Sequence, residues 1–311
     1  MGGERRSTRV ALGIATVALV AVGGTVVWLR QGAHDVSVED ALASYRAAAS
    51  AEDDGRASST TAPTEPADAA APSPTAATSP EPAPAPGGAT TGESGAAPVG
   101  AAASATAIPD AGVYVYDTTG FEETDALGGI HRDYPAQTTM TVHPGGCGWT
   151  MRWQPLEERF DEWVACADGD SRTMQTFTTY HEFFQRGQRE DFDCTADGAA
   201  SEWLPADRTV GRTWTWACAS PSSRVDSTST IVGIETVDVG GTPVEAVHVR
   251  YDNVLSGSNE GTHVLEWWCD PETGLALRMV QTMTTRSDSP FGKVSYREEF
   301  DVRLTSLEPQ R

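Results

Sequence analysis

The hydrophobic pattern divides the chain into three unlike stretches. Residues 10–29 are twenty positions without a charge, enough helix to rise about 30 Å and cross the hydrocarbon of a bilayer. Arg5, Arg6 and Arg9 precede this run, and Arg30 follows it alone before Arg46. The basic side stays cytoplasmic, so the pattern predicts export of everything after residue 30. A cleaved signal peptide is the competing reading, but Val26, Val27, Trp28 and Leu29 offer no small-residue cleavage site. Trp28 sits where an interfacial aromatic would hold a span in place.

Beyond the span, Ser37 followed by Asp40 resembles a capping box, and Val38, Ala41, Leu42 and Tyr45 recur at helical spacing. A short helix over about 37–49 is predicted, either a docking helix or a marginal stub. Residues 51–107 then hold no aromatic residue and are rich in Ala, Pro, Thr, Ser and Gly. Such a segment buries too little apolar surface to offset its chain entropy and reads as a disordered linker.

From residue 108 the pattern becomes short alternating runs of Thr, Val, Tyr and Trp divided by turn signals. The predicted strands are 112–119, 137–143, 147–153, 160–166, 172–186, 188–194, 211–219, 225–238, 243–254, 261–269, 274–285 and a last one over 294–305. In that last run Val294, Tyr296, Phe300, Val302 and Leu304 share one face, with Glu298 as the only interruption. One wet face is typical of antiparallel sheets. No long helix is legible. The fold class is all-β, an antiparallel meander closed into a barrel or left as a strongly curved sheet, carried by one transmembrane helix and a linker.

All five cysteines lie in this domain. In an oxidising compartment they read as disulfides with one left over. If Cys147 faces Cys166, opposed residues sum to 313. That register places Trp149 opposite Val164, Trp153 opposite Phe160 and Arg152 opposite Asp161, with Met151–Glu162 as the one mismatch. Cys194 and Cys218 each end a strand and form the second expected pair, with Cys218–Cys269 as its competitor. Cys269 is otherwise free.

Charge narrows the function. The net charge is −22, and residues 108–311 hold 33 acidic against 16 basic side chains. Such a surface repels nucleic acid. The histidines show no zinc spacing, no nucleophile motif occurs, and Lys293 is the only lysine. Cys269 stands beside Asp270 and Glu272, which disfavours a thiolate. No catalytic residue, metal site or cofactor is predicted.

Three motifs carry a resemblance: Leu204-Pro205 with Gly211-Arg212-Thr213-Trp214, the stretch Val232 to Gly241 with Ala246 to Val249, and Trp267 to Leu275. The series resembles β-rich extracytoplasmic proteins of unknown function and, more loosely, the lipoprotein-carrier and mycobacterial lipid-carrying half-barrels. The layout resembles actinobacterial single-pass membrane-anchored proteins with a Pro/Ala-rich linker. The carrier families imply a curved sheet around a helix-lined apolar cavity.

The expected function is therefore a membrane-anchored, non-catalytic binding or interaction domain, whose partner is a component of the cell envelope. The alternative is a carrier of an apolar ligand; an uncharacterised envelope enzyme comes third. Trp149, Trp153, Trp214 and Trp216 fall on the buried parity and favour a filled core. Trp163, Trp203 and Trp268 are the candidate exposed ligand-binding residues. The 120–136 connection, with Phe121, Leu127, Ile130 and Tyr134, is the candidate cover of the concave face.

Overall fold

The computed structural model describes residues 33–58, 107–184, 186–195, 201–289 and 292–311. The expected span at 10–29 and nearly all of the linker lie outside them. Among the described residues no helix is long and apolar enough to cross a membrane.

The one α-helix there, α1, covers Val38–Ser58. Ser37 caps it as the sequence suggests: its Oγ accepts from the Asp40 N–H at 3.1 Å and donates to the Asp40 carboxylate at 2.6 Å. The helix is docked. Its residues 38–49 belong to the same compact unit as residues 107–311. Ala41 is buried, the Tyr45 ring stacks on His143 at 4.9 Å, and Arg46 donates to the Arg311 carbonyl.

The strands are β1 Gly112–Thr124, β2 Ile130–Asp133, β3 Gln137–Gly145, β4 Gly148–Leu156, β5 Arg159–Asp168, β6 Ser171–Phe183 and β7 Arg186–Asp193. They continue with β8 Ser201–Leu204, β9 Thr213–Ala219, β10 Ser223–Val239, β11 Thr242–Gly257, β12 Asn259–Cys269, β13 Ala276–Ser289 and β14 Gly292–Leu304. Twelve of them form a closed antiparallel barrel. The sheet is a meander apart from its closing seams: β14 returns to β1 over Tyr116↔Leu304 to Thr124↔Tyr296. The short strands β2 and β8, which the sequence pattern did not reveal, extend the ladders of β1 and β6. Closure removes the free edges of an open curved sheet.

One seam is weak. Between β7 and β9 the ladder has a single pair, Asp193↔Ala219. The Cys194–Cys218 disulfide lies immediately beside it. Ser201 ties the same place by donating its Oγ to the carbonyls of Cys194 and Ala217. Within β7, Glu190 accepts from Ser220, Ser222 and Asn259. Covalent and side-chain bonds thus stand where backbone pairing is missing.

Both expected disulfides form, and Cys269 is free and buried. The β4–β5 register, however, is one residue away from the expected one. Gly148, not Cys147, lies opposite Cys166, so opposed residues are Trp149↔Ala165, Met151↔Trp163 and Arg152↔Glu162. Cys147 belongs to the turn before β4 and reaches Cys166 diagonally, with Cα atoms 5.0 Å apart. Gly148 permits this, since a Cβ there would collide with the Ala165 carbonyl. A one-residue slip turns every side chain to the other face. It removes the Met151–Glu162 mismatch, gives Glu162 to Arg152 as an ion pair, and turns Trp163 inward.

One end of the barrel is filled by its own side chains. Trp149, Trp153, Tyr114, Tyr116, Met140, Met151 and Val302 are buried there. Trp153 lies 4.5 Å from Phe300 and donates its indole N–H to Thr138. Tyr116 spans the interior to donate to the Ala276 carbonyl at 2.7 Å. The ladder, core and disulfides all fall within residues 33–311. Of that stretch, residues 33–49 and 107–311 carry their own core.

Candidate functional site

The other end is hollow, and here the expectation of a filled core fails. A cavity of about 530 Å³ is lined by inward residues of β5 to β14 and by the strand connections at the mouth. Trp149 and Trp153 supply bulk only at the closed end. Trp216 is a wall of the cavity, and Trp214, half-buried, donates its N–H to the Glu202 carbonyl. Inward parity in a twelve-stranded barrel encloses more volume than its side chains fill, because diameter grows with strand number. Strands, not helices, line it, unlike the cavity that the carrier resemblance implies.

The walls are aromatic and continuous. Trp216 meets Tyr251 edge to face at 6.2 Å, and Tyr251 meets Trp267 at 6.2 Å. Trp267 lies 4.8 Å from Trp203 and 5.6 Å from Trp163. From Trp163 the series runs to Phe177 at 6.0 Å and on to Phe192 at 5.7 Å. Leu255, Leu265, Met283 and Val294 complete the apolar surface. Drug-sized ligands occupy cavities of roughly 300–1,000 Å³ with such linings.

Between the cavity and the filled end lies a buried ionic floor. Arg159 donates to both oxygens of Asp161 at 2.7 Å and to both oxygens of Glu298 at 3.0 and 3.1 Å. Glu298 also accepts from Gln281 and Tyr134. Beside it, Glu122 pairs with Arg132 and takes hydrogen bonds with His181 and Tyr296. Burial opposes ionisation of Asp161, and Arg159 outweighs it, so the carboxyl stays below its ordinary range. Burial likewise opposes ionisation of Glu122, and its contacts with His181 and Arg132 outweigh it.

His263 faces Asn253 in the cavity wall, its Nδ1 3.2 Å from the amide nitrogen. Burial pushes its imidazole down to about 4, so the ring is neutral at pH 7. Gln281 also hydrogen-bonds the His263 ring, while the indole nitrogens of Trp203 and Trp267 are enclosed within the wall with no hydrogen-bond partner among the described residues.

The candidate ligand residues part company. Trp163 and Trp203 line the cavity. They are not exposed on the surface: the shifted register turns Trp163 inward, and β8 carries Trp203 to 1% exposure. Trp268 is on the outer face, also covered. It stacks on His248 at 4.0 Å, lies under Arg278, and donates to Glu235. The adjacent Trp267 takes the inward place. The 120–136 connection is a β1–β2 hairpin with a short 3₁₀ turn at its tip. Leu127 from that tip reaches the cavity mouth, whereas Phe121 stacks on His131. Ile130 pairs with Thr124 in the hairpin, and Tyr134 lies buried against Trp153. The sequence reading missed Phe184 at the mouth. Among the described residues only Leu127 (φ 48°) and Phe184 (φ 56°) adopt positive φ without being glycine, and both line the cavity. Backbone strain of this kind gathers at binding sites.

No group of three or more metal-ligating side chains converges among the described residues. Cys269 is buried and its thiol is pushed far up by burial. No protein-family model matches the sequence, and no curated protein matches it. A crystal structure of the hypothetical lipoprotein YmcC from Escherichia coli (K12) is similar over 62% of this chain and 85% of its own. The identity is 13% and the TM-score 0.29, a likeness too slight to bear on function.

Proposed function

We propose that the protein is an extracytoplasmic carrier or receptor that holds one apolar small molecule in its barrel, tethered to the membrane through residues 10–29. The observation that carries this is the cavity: about 530 Å³, walled by a continuous series of aromatic rings and closed below by a buried ionic floor. Reactive groups are spent structurally. Arg159 holds Asp161 and Glu298, Glu122 pairs with Arg132, and Cys269 is a buried thiol. The two disulfides fit an oxidising compartment on the far side of the membrane.

Titration of residues 33–311 with N-phenyl-1-naphthylamine, a neutral apolar fluorophore, tests the proposal. Saturable one-to-one binding with a blue shift is expected. Leu265→Trp, which fills the cavity, should abolish it without unfolding the barrel. Absence of saturable binding, or binding unchanged in Leu265→Trp, would overturn the proposal.

A further inference from the structure

We infer that the barrel stands with its open mouth against the bilayer surface, so that an apolar ligand passes between lipid and cavity without crossing bulk water; this rests on residues 10–29 being the membrane tether proposed above. The place where the chain enters the barrel leads to it. His34 is only five residues beyond Leu29, the last residue of that tether, a reach of at most about 18 Å. It is fixed to the turn between β4 and β5. Its N–H donates to the Glu158 carboxylate at 3.0 Å, its Nδ1 lies 2.6 Å from the same group, and its carbonyl accepts from the Glu157 N–H at 2.8 Å. Asp35 adds a bridge to Leu156. The long Pro- and Ala-rich linker comes later in the chain, so it does not set the distance between membrane and barrel.

That turn belongs to the mouth end. The Glu182 N–H donates to the Glu158 carbonyl at 2.8 Å, and the chain runs on from Glu182 to Phe183 and Phe184 in the cavity mouth. From His34 the chain then leads away from the mouth through α1. Tyr45 stacks on His143 and Arg46 reaches Arg311, both at the filled end, where Gly112 pairs with Val142. Inverted, the barrel would hold His34 at the far end of the nine-residue β4, about 20 Å along the axis at the usual strand tilt. With the β3–β4 turn added below, the tether falls short of that height. The mouth also presents apolar surface. Leu127 is 60% exposed at its edge, with Phe183, Phe184 and Val294 half-buried beside it. Such residues gain by entering the headgroup and acyl boundary of a bilayer. The charges around them are of both signs, Arg186 and Lys293 against Glu190, Glu260 and Asp288, so the contact needs no anionic lipid.

Fluorescence quenching on the full chain, reconstituted in phosphatidylcholine vesicles, decides the matter. Single thiols are introduced at the mouth by Leu127→Cys and Lys293→Cys. A third is introduced by Thr242→Cys at the β10–β11 turn, beside Thr305 at the filled end. The buried Cys269 and the two disulfides take no label. Each introduced thiol carries a nitrobenzoxadiazole fluorophore, and part of the lipid carries a doxyl quencher near its headgroup. The labels at positions 127 and 293 should lose most of their fluorescence, and the label at position 242 should keep it. Equal quenching of all three, no quenching at the mouth, or quenching at position 242 alone, in protein that floats with the vesicles, overturns the inference. Ligand binding by the cavity is untouched by those results. If the chain does not float with the vesicles, the tether of the proposed function falls and the inference falls with it. Two mouth positions are labelled so that one still decides should the other variant fail to fold.

Discussion

Arg159 and Glu298, 139 residues apart in sequence, meet in the barrel floor with Nε–Oε1 at 3.0 Å and Nη2–Oε2 at 3.1 Å. Neither side chain is accessible to bulk water. With Asp161 they form one unit in which two carboxylates depend on one guanidinium. Replacing Arg159 by Met would leave both without a counter-charge at the base of an apolar cavity. Breaking a buried pair in this way costs about 3–5 kcal/mol. Chemical denaturation of Arg159→Met should show a loss of that order; a loss under about 1 kcal/mol would mean that water reaches the floor.

Stability should also fall in mild acid, through His263. Its imidazole titrates at about 4 in the folded protein against 6.5 for the free group, because burial disfavours the cation. Between these values the unfolded chain takes up a proton that the folded chain refuses. The stability present at neutral pH is therefore lost as pH falls from 6.5 to 4, by about 3 kcal/mol at the foot of the window. Asp161 and Glu122 are depressed instead, so their contribution is present above the ordinary carboxylate range and lost below it. Denaturation midpoints of His263→Gln measured across pH should lack the slope between 6.5 and 4 and keep the steeper loss below it. An unchanged upper slope would assign it to another group.

The β7–β9 seam gives the two disulfides different roles. Cys194–Cys218 stands beside the single ladder pair of that seam, whereas Cys147–Cys166 joins strands already paired from Gly148 to Trp153. Each bond should stabilise by about 3 kcal/mol from chain entropy. Local opening should differ. Hydrogen exchange of amides in Arg186–Asp193 and Thr213–Ala219 is expected to accelerate in C194A/C218A. In C147A/C166A the same amides should stay protected. Equal acceleration in both variants would show that the barrel opens as a whole, with no local weakness at the seam.

The mouth carries stored strain. Leu127 is 60% exposed, so its removal forfeits little burial, while its positive φ suits glycine. Leu127→Gly is expected to leave stability unchanged or to raise it by about 1 kcal/mol. It should also weaken N-phenyl-1-naphthylamine binding severalfold by removing apolar surface from the mouth. Thermal and fluorescence titrations read the two effects separately. Full affinity in the variant would place Leu127 outside the entry path.

Much of this was legible in the sequence, and the rest was hidden for identifiable reasons. Period-two alternation exposed the long strands, because each has one dry and one wet face. It passed over β2 and β8, four residues each, too short for alternation to register. The hairpin register failed because opposed cysteines were made the anchor, and a disulfide from a turn residue binds diagonally. Arg152 was the better guide, since its ion-pair partner is Glu162 and not Asp161. The floor of the site was visible without being understood. Glu298 stood out as the single polar residue on the apolar face of the last strand, and that interruption is the buried partner of Arg159. The cavity itself was not legible. Parity tells which side chains point inward, but the space they leave depends on strand number and closure.

The central claim is that the hollow half of the barrel holds one apolar molecule. Native mass spectrometry of the chain purified from its producing cells, under non-denaturing conditions, tests it most directly. The account predicts a single non-covalent adduct of an apolar small molecule, absent from the Leu265→Trp variant prepared in the same way. A bare protein mass in both preparations, or an adduct that Leu265→Trp retains, would contradict it.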